Sequence, residues 1–154
     1  MTEIRPATAA DIPALLELLE ELFGVEVDFG FDAAKAEQAL RLLLDAPSQA
    51  CVLAAGSGAE VLGMCTVQLV VSTAEGGLSG LLEDMVVRPA RRGQGLGRRL
   101  LAAAASWAAS KGATRLQLLA DKGNVPALEF YRKAGMAGTR MICLRKFLEA
   151  SPQP

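Results

Sequence analysis

One segment constrains this chain more than any other: Val86-Val87-Arg88-Pro89-Ala90-Arg91-Arg92-Gly93-Gln94-Gly95-Leu96-Gly97-Arg98-Arg99. An apolar run ends, a proline closes it, and three alternate glycines lead into an alanine- and leucine-rich stretch. The pattern predicts a strand, a turn and then a helix from about residue 95 to 111. Gly93, Gly95 and Gly97 let main chain approach a ligand without Cβ interference. The first N–H groups of the helix have no intrahelical acceptor, and the helix dipole adds partial positive charge there. Such a mouth binds phosphate. Arg91, Arg92, Arg98 and Arg99 surround it with full charges. The plain alternative is a glycine-rich turn with solvated arginines, against which the strand–loop–helix context and Pro89 weigh.

The spacing is Gly-x-Gly-x-Gly, not the Gly-x-Gly-x-x-Gly of dinucleotide-binding folds, and Gln117 stands where those folds carry an acidic ribose ligand. There is no Gly-x-x-x-x-Gly-Lys-Ser/Thr, which excludes a nucleoside triphosphate loop. Histidine is absent and the cysteines, Cys51, Cys65 and Cys143, are far apart, so zinc sites, Cys-x-x-Cys redox pairs and histidine-based triads are excluded. The three cysteines are expected as buried, reduced thiols, and no metal is expected. At 154 residues, 51% hydrophobic and 21% charged, the chain reads as one folded domain. No apolar run approaches the ~20 residues of a membrane span, and the opening Met-Thr-Glu-Ile lacks signal-peptide character, so a soluble cytoplasmic protein is expected.

Charge is divided along the chain. Residues 1–87 hold 3 basic and 14 acidic side chains, a balance of −11; residues 88–154 hold 13 basic and 3 acidic ones, a balance of +10. The plain reading is two solvated faces. The sharper one is an anion site in the second half and a cation site in the first. Nucleic acid is disfavoured, because the aromatics are not interleaved with the basic cluster.

Periodicity orders the elements. A short extended segment ends at Pro6, and Thr8 with Asp11 resembles a capping box with Asp in place of Glu. Ile12, Leu15, Leu16, Leu19, Leu22 and Phe23 recur at helical spacing, with Gly24 as the expected stop. Residues 25–31 read as a loop, and Asp32 caps a second helix to about Leu44. Strands are expected at 50–55, 61–72, 81–87 and 114–120, a helix from an Asn124 cap to about Ala134, and a last strand at 139–147.

Arg92-Gly93-Gln94-Gly95-Leu96-Gly97 resembles the pyrophosphate-binding signature Arg/Gln-x-x-Gly-x-Gly/Ala of the GNAT superfamily of acetyl-coenzyme-A-dependent N-acetyltransferases. Asn124 and Tyr131 fall where family members carry an Asn and a Tyr after the next strand, and Ile4-Arg5-Pro6-Ala7-Thr8-x-x-Asp11 is similar to the family's opening. The resemblance implies an α/β (mixed α+β) fold: a central, mostly antiparallel sheet flanked by helices and splayed between the fourth and fifth strands. It covers 1–148 as a single N-acetyltransferase domain, leaving 149–154 as a disordered tail.

The resemblance further implies acetyl-CoA as co-substrate, with Arg92, Gly93, Gln94, Gly95, Leu96, Gly97 and Arg98 on the pyrophosphate. Met85, Val86 and Val87 would hold the pantetheine arm and polarise the thioester, and Asn124 would bond near it or cap its helix. Tyr131 would be the general acid for the departing thiolate, or alternatively a core aromatic. Alternation sends Glu83 and Asp84 to opposite faces of a strand, so one of them can act as base, and Glu83 is favoured. The acceptor is expected to be a primary amine on a small cationic metabolite, such as a polyamine or an aminoglycoside, drawn by the acidic first half, with Glu20, Glu21, Glu26, Asp28 and Asp32 near its wall and Phe23, Phe29 and Phe31 shaping a pocket or anchoring the loop. A protein N-terminus or lysine is the competing acceptor. A non-catalytic module that binds coenzyme A as a sensor or scaffold and an acyl- or peptide-binding adaptor using the acidic surface are competing functions. A homodimer, with no nucleic acid or membrane partner, completes the expectation.

Overall fold

The computed structural model describes residues 1–25 and 30–150. The chain forms two compact units, Met1–Leu118 and Leu119–Pro154. In the first, strand β1 (Glu3–Pro6) leads through a 3-10 turn (Ala9–Asp11) into helices α1 (Ile12–Val25) and α2 (Ala33–Leu44). Strands β2 (Ala50–Ser57), β3 (Glu60–Ser72) and β4 (Gly77–Val87) follow, then a second 3-10 turn (Pro89–Arg91), helix α3 (Leu96–Ser110) and strand β5 (Leu116–Leu118). The sheet order is β1-β2-β3-β4-β5, antiparallel except for the parallel β4–β5 pair.

Helices cover both faces, which is why β2 and most of β3 are buried nearly without alternation. On one face Ile12, Leu15, Leu18 and Leu19 of α1 and Leu40 of α2 pack with Val52, Ala54, Val61, Met64 and Val86. On the other lies α3. A Cβ on Gly80 would stand 3.2 Å from that of Ala108, so the glycine is what lets the helix sit so close to β4. The Arg5–Asp11 pair fixes the entry to α1: the guanidinium donates to both carboxylate oxygens at 2.8 Å, and the Thr8 N–H donates to Asp11 at 2.7 Å. The Thr8/Asp11 box is thus present, reinforced by an arginine.

Two features of β4 position everything else. Its pairing with β5 covers Gly80 to Leu82 and stops, so the edge from Glu83 to Val87 has no β5 partner. The β3–β4 register also shifts between Met64 and Thr66, whose partners are Val86 and Glu83. Asp84 and Met85 therefore oppose the single residue Cys65, a β-bulge, and Asp84 adopts φ 54°. The bulge changes the phase of alternation. Before it, Gly80 faces α3; after it, Val86 belongs to the core beneath α1 and α2.

Three expectations are corrected. Helix α1 passes through Gly24 to Val25, because glycine at helical φ costs ~1 kcal/mol without breaking a helix. The loop expected at 25–31 falls largely on residues 26–29, which lie outside the described residues. No strand forms at 139–147; Met141, Ile142, Leu144 and Phe147 are exposed, and so is Cys143, expected to be buried. A strand exists only as a pairing, and this apolar segment finds no ladder partner among the described residues. The second unit is built on helix α4 (Val125–Lys133), which ends at Gly135, φ 91°.

The Arg5 guanidinium holds the Asp11 carboxyl down to about 2, against 3.8 for the free group. Lowering a carboxyl pKa stabilises the fold above the unfolded value and loses that contribution as pH falls toward the folded one. Asp11→Asn is expected to cost roughly 2 kcal/mol near pH 7. The gap to the unsubstituted protein should stay constant down to about pH 5 and shrink below about pH 4. Urea unfolding across that range measures it.

Candidate active site

The mouth of α3 is shaped by two left-handed glycines. Gly93 has φ 73° and Gly95, the residue capping the helix, φ 82°. A Cβ at either would meet nothing within 4 Å, so the dihedral, not space, selects glycine. Leu96, Leu100, Leu101, Ala104 and Ala108 bury one face of α3 and fix its axis, while residues 91–95 stay exposed. The Arg99 N–H donates to the Gly95 carbonyl at 3.1 Å. This starts the helical ladder and leaves the N–H groups of Leu96, Gly97 and Arg98 without intrahelical acceptors.

The arginines of the segment divide by task. Arg88 is structural: Nε donates to the Val61 carbonyl (3.1 Å), and the two terminal nitrogens reach Glu17 (2.7 Å) and Glu21 (3.3 Å) on α1. Arg99 donates to the Thr2 carbonyl at 3.0 Å. Arg92 folds its Nε onto the Val87 carbonyl at 2.9 Å, which bolts the loop to the end of β4 and uses one of its five donors. Gln94 donates to the Ala90 carbonyl at 3.4 Å. Arg91 and Arg98 are exposed at the mouth.

Beside this mouth runs the part of β4 that β5 does not pair, carrying Met85, Val86 and Val87. The two carboxylates before them are not divided as alternation predicts. Glu83 pairs with Thr66 across the ladder, and the Thr66 hydroxyl donates to Asp84 at 3.3 Å. Cross-strand partners share a face, so the bulge brings both acids to the α1/α2 side. Glu83 is exposed. Asp84 is half-buried and lines a cavity of about 240 Å³ walled by Leu19 and Phe23 of α1 and Ala36, Leu40 and Leu43 of α2. Asp32 and Lys35 lie on the same wall, with Asp32 capping α2 through the Lys35 N–H at 3.1 Å. Phe23 and Phe31 meet at 6.1 Å between ring centres, tilted. Glu26, Asp28 and Phe29, expected near this wall, lie outside the described residues. Sequence reasoning had no access to the bulge; the one local hint was that Asp tolerates positive φ better than most residues.

In the second unit the Asn124 side chain accepts the Ala127 N–H at 3.2 Å, a helix cap. Half-buried Tyr131 packs edge-on against Phe130, 5.1 Å between centres. Burial pushes the Cys65 thiol up to about 12 and raises that of Cys51, which removes both as thiolate nucleophiles.

The model of the acetyltransferase (GNAT) family matches residues 12–136. The chain belongs to the GNAT acetyltransferase family. It is 32% identical over 152 residues to the aminoglycoside N(6')-acetyltransferase type 1 of Stenotrophomonas maltophilia, covering 96% of this chain and 95% of that protein. A 56-residue stretch is 43% identical to the streptothricin acetyltransferase of Streptomyces lavendulae, spanning 36% of this chain and 30% of that one. A predicted acetyltransferase of Clostridium acetobutylicum, crystallised with acetyl-CoA, superposes with a TM-score of 0.76 at 19% identity, covering 95% and 96% of the two chains.

The protein is therefore an acyltransferase, and GNAT enzymes use acetyl-CoA. The residues fit that co-substrate: a diphosphate needs N–H donors and cations, and the α3 mouth offers both. Among the described residues no helix is long and apolar enough to cross a membrane. Gly95→Ala forces a Cβ into the left-handed region and is expected to cost about 1–2 kcal/mol of stability. It should also weaken coenzyme A binding tenfold or more in calorimetry, because the first-turn N–H groups turn away.

Proposed function

We propose that the chain transfers acetyl from acetyl-CoA to a primary amine by direct attack, through a tetrahedral intermediate. The observation that carries this reading is the β4 edge from Glu83 to Val87, released by β5 beside the α3 mouth. An extended pantetheine arm can take the place of the missing strand there, hydrogen-bonding to main chain at Met85, Val86 and Val87. Arg92, Gly93, Gln94, Gly95, Leu96, Gly97 and Arg98 hold the pyrophosphate, and Asn124 contributes near the pantetheine while capping α4.

The amine lone pair forms the new C–N bond at the thioester carbon. Negative charge builds on the carbonyl oxygen, where a fixed main-chain N–H is worth about 3 kcal/mol. The C–S bond then breaks, Tyr131 gives its proton to the thiolate, and the nitrogen sheds one. An alkyl amine of pKa ~10.4 is less than about 0.1% neutral at pH 7, so proton removal is the harder task. Glu83, directly or through water, is the assigned base. The alternatives of amine acceptor, a small metabolite or a protein N-terminus or lysine, share this machinery. Relatives named for aminoglycoside and streptothricin acetylation support a small-molecule amine.

A broad amine screen with thiol release as readout tests the reading. Turnover with at least one primary amine is expected, and coenzyme A binding without any turnover would favour a sensor. Tyr131→Phe should lower kcat roughly ten- to hundredfold while coenzyme A affinity is unchanged. Arg92→Glu should do the reverse, weakening coenzyme A at least tenfold.

A further inference from the structure

The turn that carries Gly93 and Gly95 is stiffened mainly by bonds to itself. The Arg91 N–H donates to the Arg88 carbonyl (2.8 Å), the Arg92 N–H to the Pro89 carbonyl (3.3 Å), Arg92 Nε to the Val87 carbonyl (2.9 Å) and Gln94 to the Ala90 carbonyl (3.4 Å). Such bonds fix the shape of the turn, not the direction in which it points. Among the described residues, Arg88 is the one side chain of residues 87–95 that hydrogen-bonds beyond that stretch. It reaches the Val61 carbonyl on β3 and Glu17 and Glu21 on α1. Helix α1 is a fixed post, since Leu15 and Leu18 are wholly buried. Val87 is held otherwise, by its ladder partner Gly63 on β3. The ladder therefore ends where the clamp begins.

We infer that Arg88, clamped by Glu17 and Glu21, is a positioning residue for the diphosphate of the acyl donor. It aims the turn and the first N–H groups of α3 without touching the donor itself. The inference rests on the reading of the α3 mouth as the coenzyme A site. Stability alone accounts poorly for the clamp. The Glu17 side chain is 66% exposed, and exposed ion pairs contribute little. Two carboxylates share one cation, and the buried Oε2 of Glu21 accepts no hydrogen bond among the described residues. A planar guanidinium bonded at three points to two elements does fix a direction.

Positioning and bare charge predict opposite signs. Glu17 is an anion one side chain away from an anion-binding turn, so by Coulomb's law Glu17→Lys should tighten coenzyme A binding. If the clamp aims the turn, Glu17→Lys weakens binding instead, because the new ammonium repels the Arg88 guanidinium. The test is calorimetry with coenzyme A, joined by kinetics with acetyl-CoA and with S-acetylpantetheine, the same thioester without the diphosphate. Glu17→Lys should weaken coenzyme A binding roughly fivefold or more and raise the KM for acetyl-CoA to match. The value of kcat and the KM for S-acetylpantetheine should stay within about twofold. Arg88→Met should weaken coenzyme A as much, and adding Glu17→Lys to it should weaken it no further. A purely structural role would lower the melting temperature and weaken both donors alike. Should Glu17→Lys fail to fold, Glu17→Gln at the same exposed position is read in the same way, with a loss of about twofold or more expected. Unchanged or tighter coenzyme A binding in Glu17→Lys, an equal loss with S-acetylpantetheine, or additive losses in the double variant overturns the inference. If the unsubstituted protein binds no coenzyme A, the reading of the α3 mouth falls and the inference with it. If it binds coenzyme A and Glu17→Lys binds it equally well, the inference alone falls.

Discussion

The β-bulge in β4 is the constraint on which the site depends. An ideal strand would keep pairing β3 on one side and β5 on the other, and its side chains would alternate to the end. Here two residues, Asp84 and Met85, oppose one, Cys65. The ladder shifts phase, and Asp84 is set at φ 54°. Bulges strengthen local twist and bend the strand that carries them. The β5 pairing stops at Leu82, two residues before the bulge. A single extra residue thus coincides with both a stretch of β4 that β5 does not pair and a carboxylate turned toward the α1/α2 cavity.

The arginines that look alike in sequence are not alike in the fold. Arg88 ties the end of β4 to α1 through two glutamates and the Val61 carbonyl, and so holds one wall of the cavity in place. Arg92 ties the loop to Val87. The loop that presents N–H groups is thereby anchored at its start by side chains and at its end by the buried Leu96 and Leu100. Rigid presentation matters because an anion held by preset donors needs no reorganisation on binding.

Legibility in the sequence followed the range of the interactions involved. The Gly93–Leu96 turn, the Asp32 and Asn124 caps and the Thr8/Asp11 box are local, and each appears where spacing placed it. The GNAT fold, with its splayed fourth and fifth strands, was implied by the resemblance of Arg92–Gly97 to the family's signature, and the order of those elements agreed with it. Features set by pairing were not legible. Alternation assigned Glu83 and Asp84 to opposite faces, since a bulge depends on where β3 registers against β4 and leaves no mark in β4 alone. The apolar alternation of residues 139–147 has strand character, but propensity does not supply a partner. Gly24 misled for the opposite reason, because packing of Leu15, Leu18 and Leu19 outweighs one unfavourable helix residue.

The division of charge also takes its meaning from the fold. A balance of −11 over the first 87 residues suggests a polycation-binding face. Yet Glu17, Glu21 and Asp11 are bonded to arginines, and Asp32 is occupied at a helix start. Paired carboxylates project less field, because each arginine cancels one charge within a few ångströms, Arg88 offsetting one of its two glutamates, and salt screens the rest. Charge counted along a sequence therefore overstates what a ligand meets. On the α1/α2 side the described wall combines the apolar Leu19, Phe23, Leu40 and Leu43 with Asp32 and Lys35, so both signs of charge stand beside hydrocarbon there.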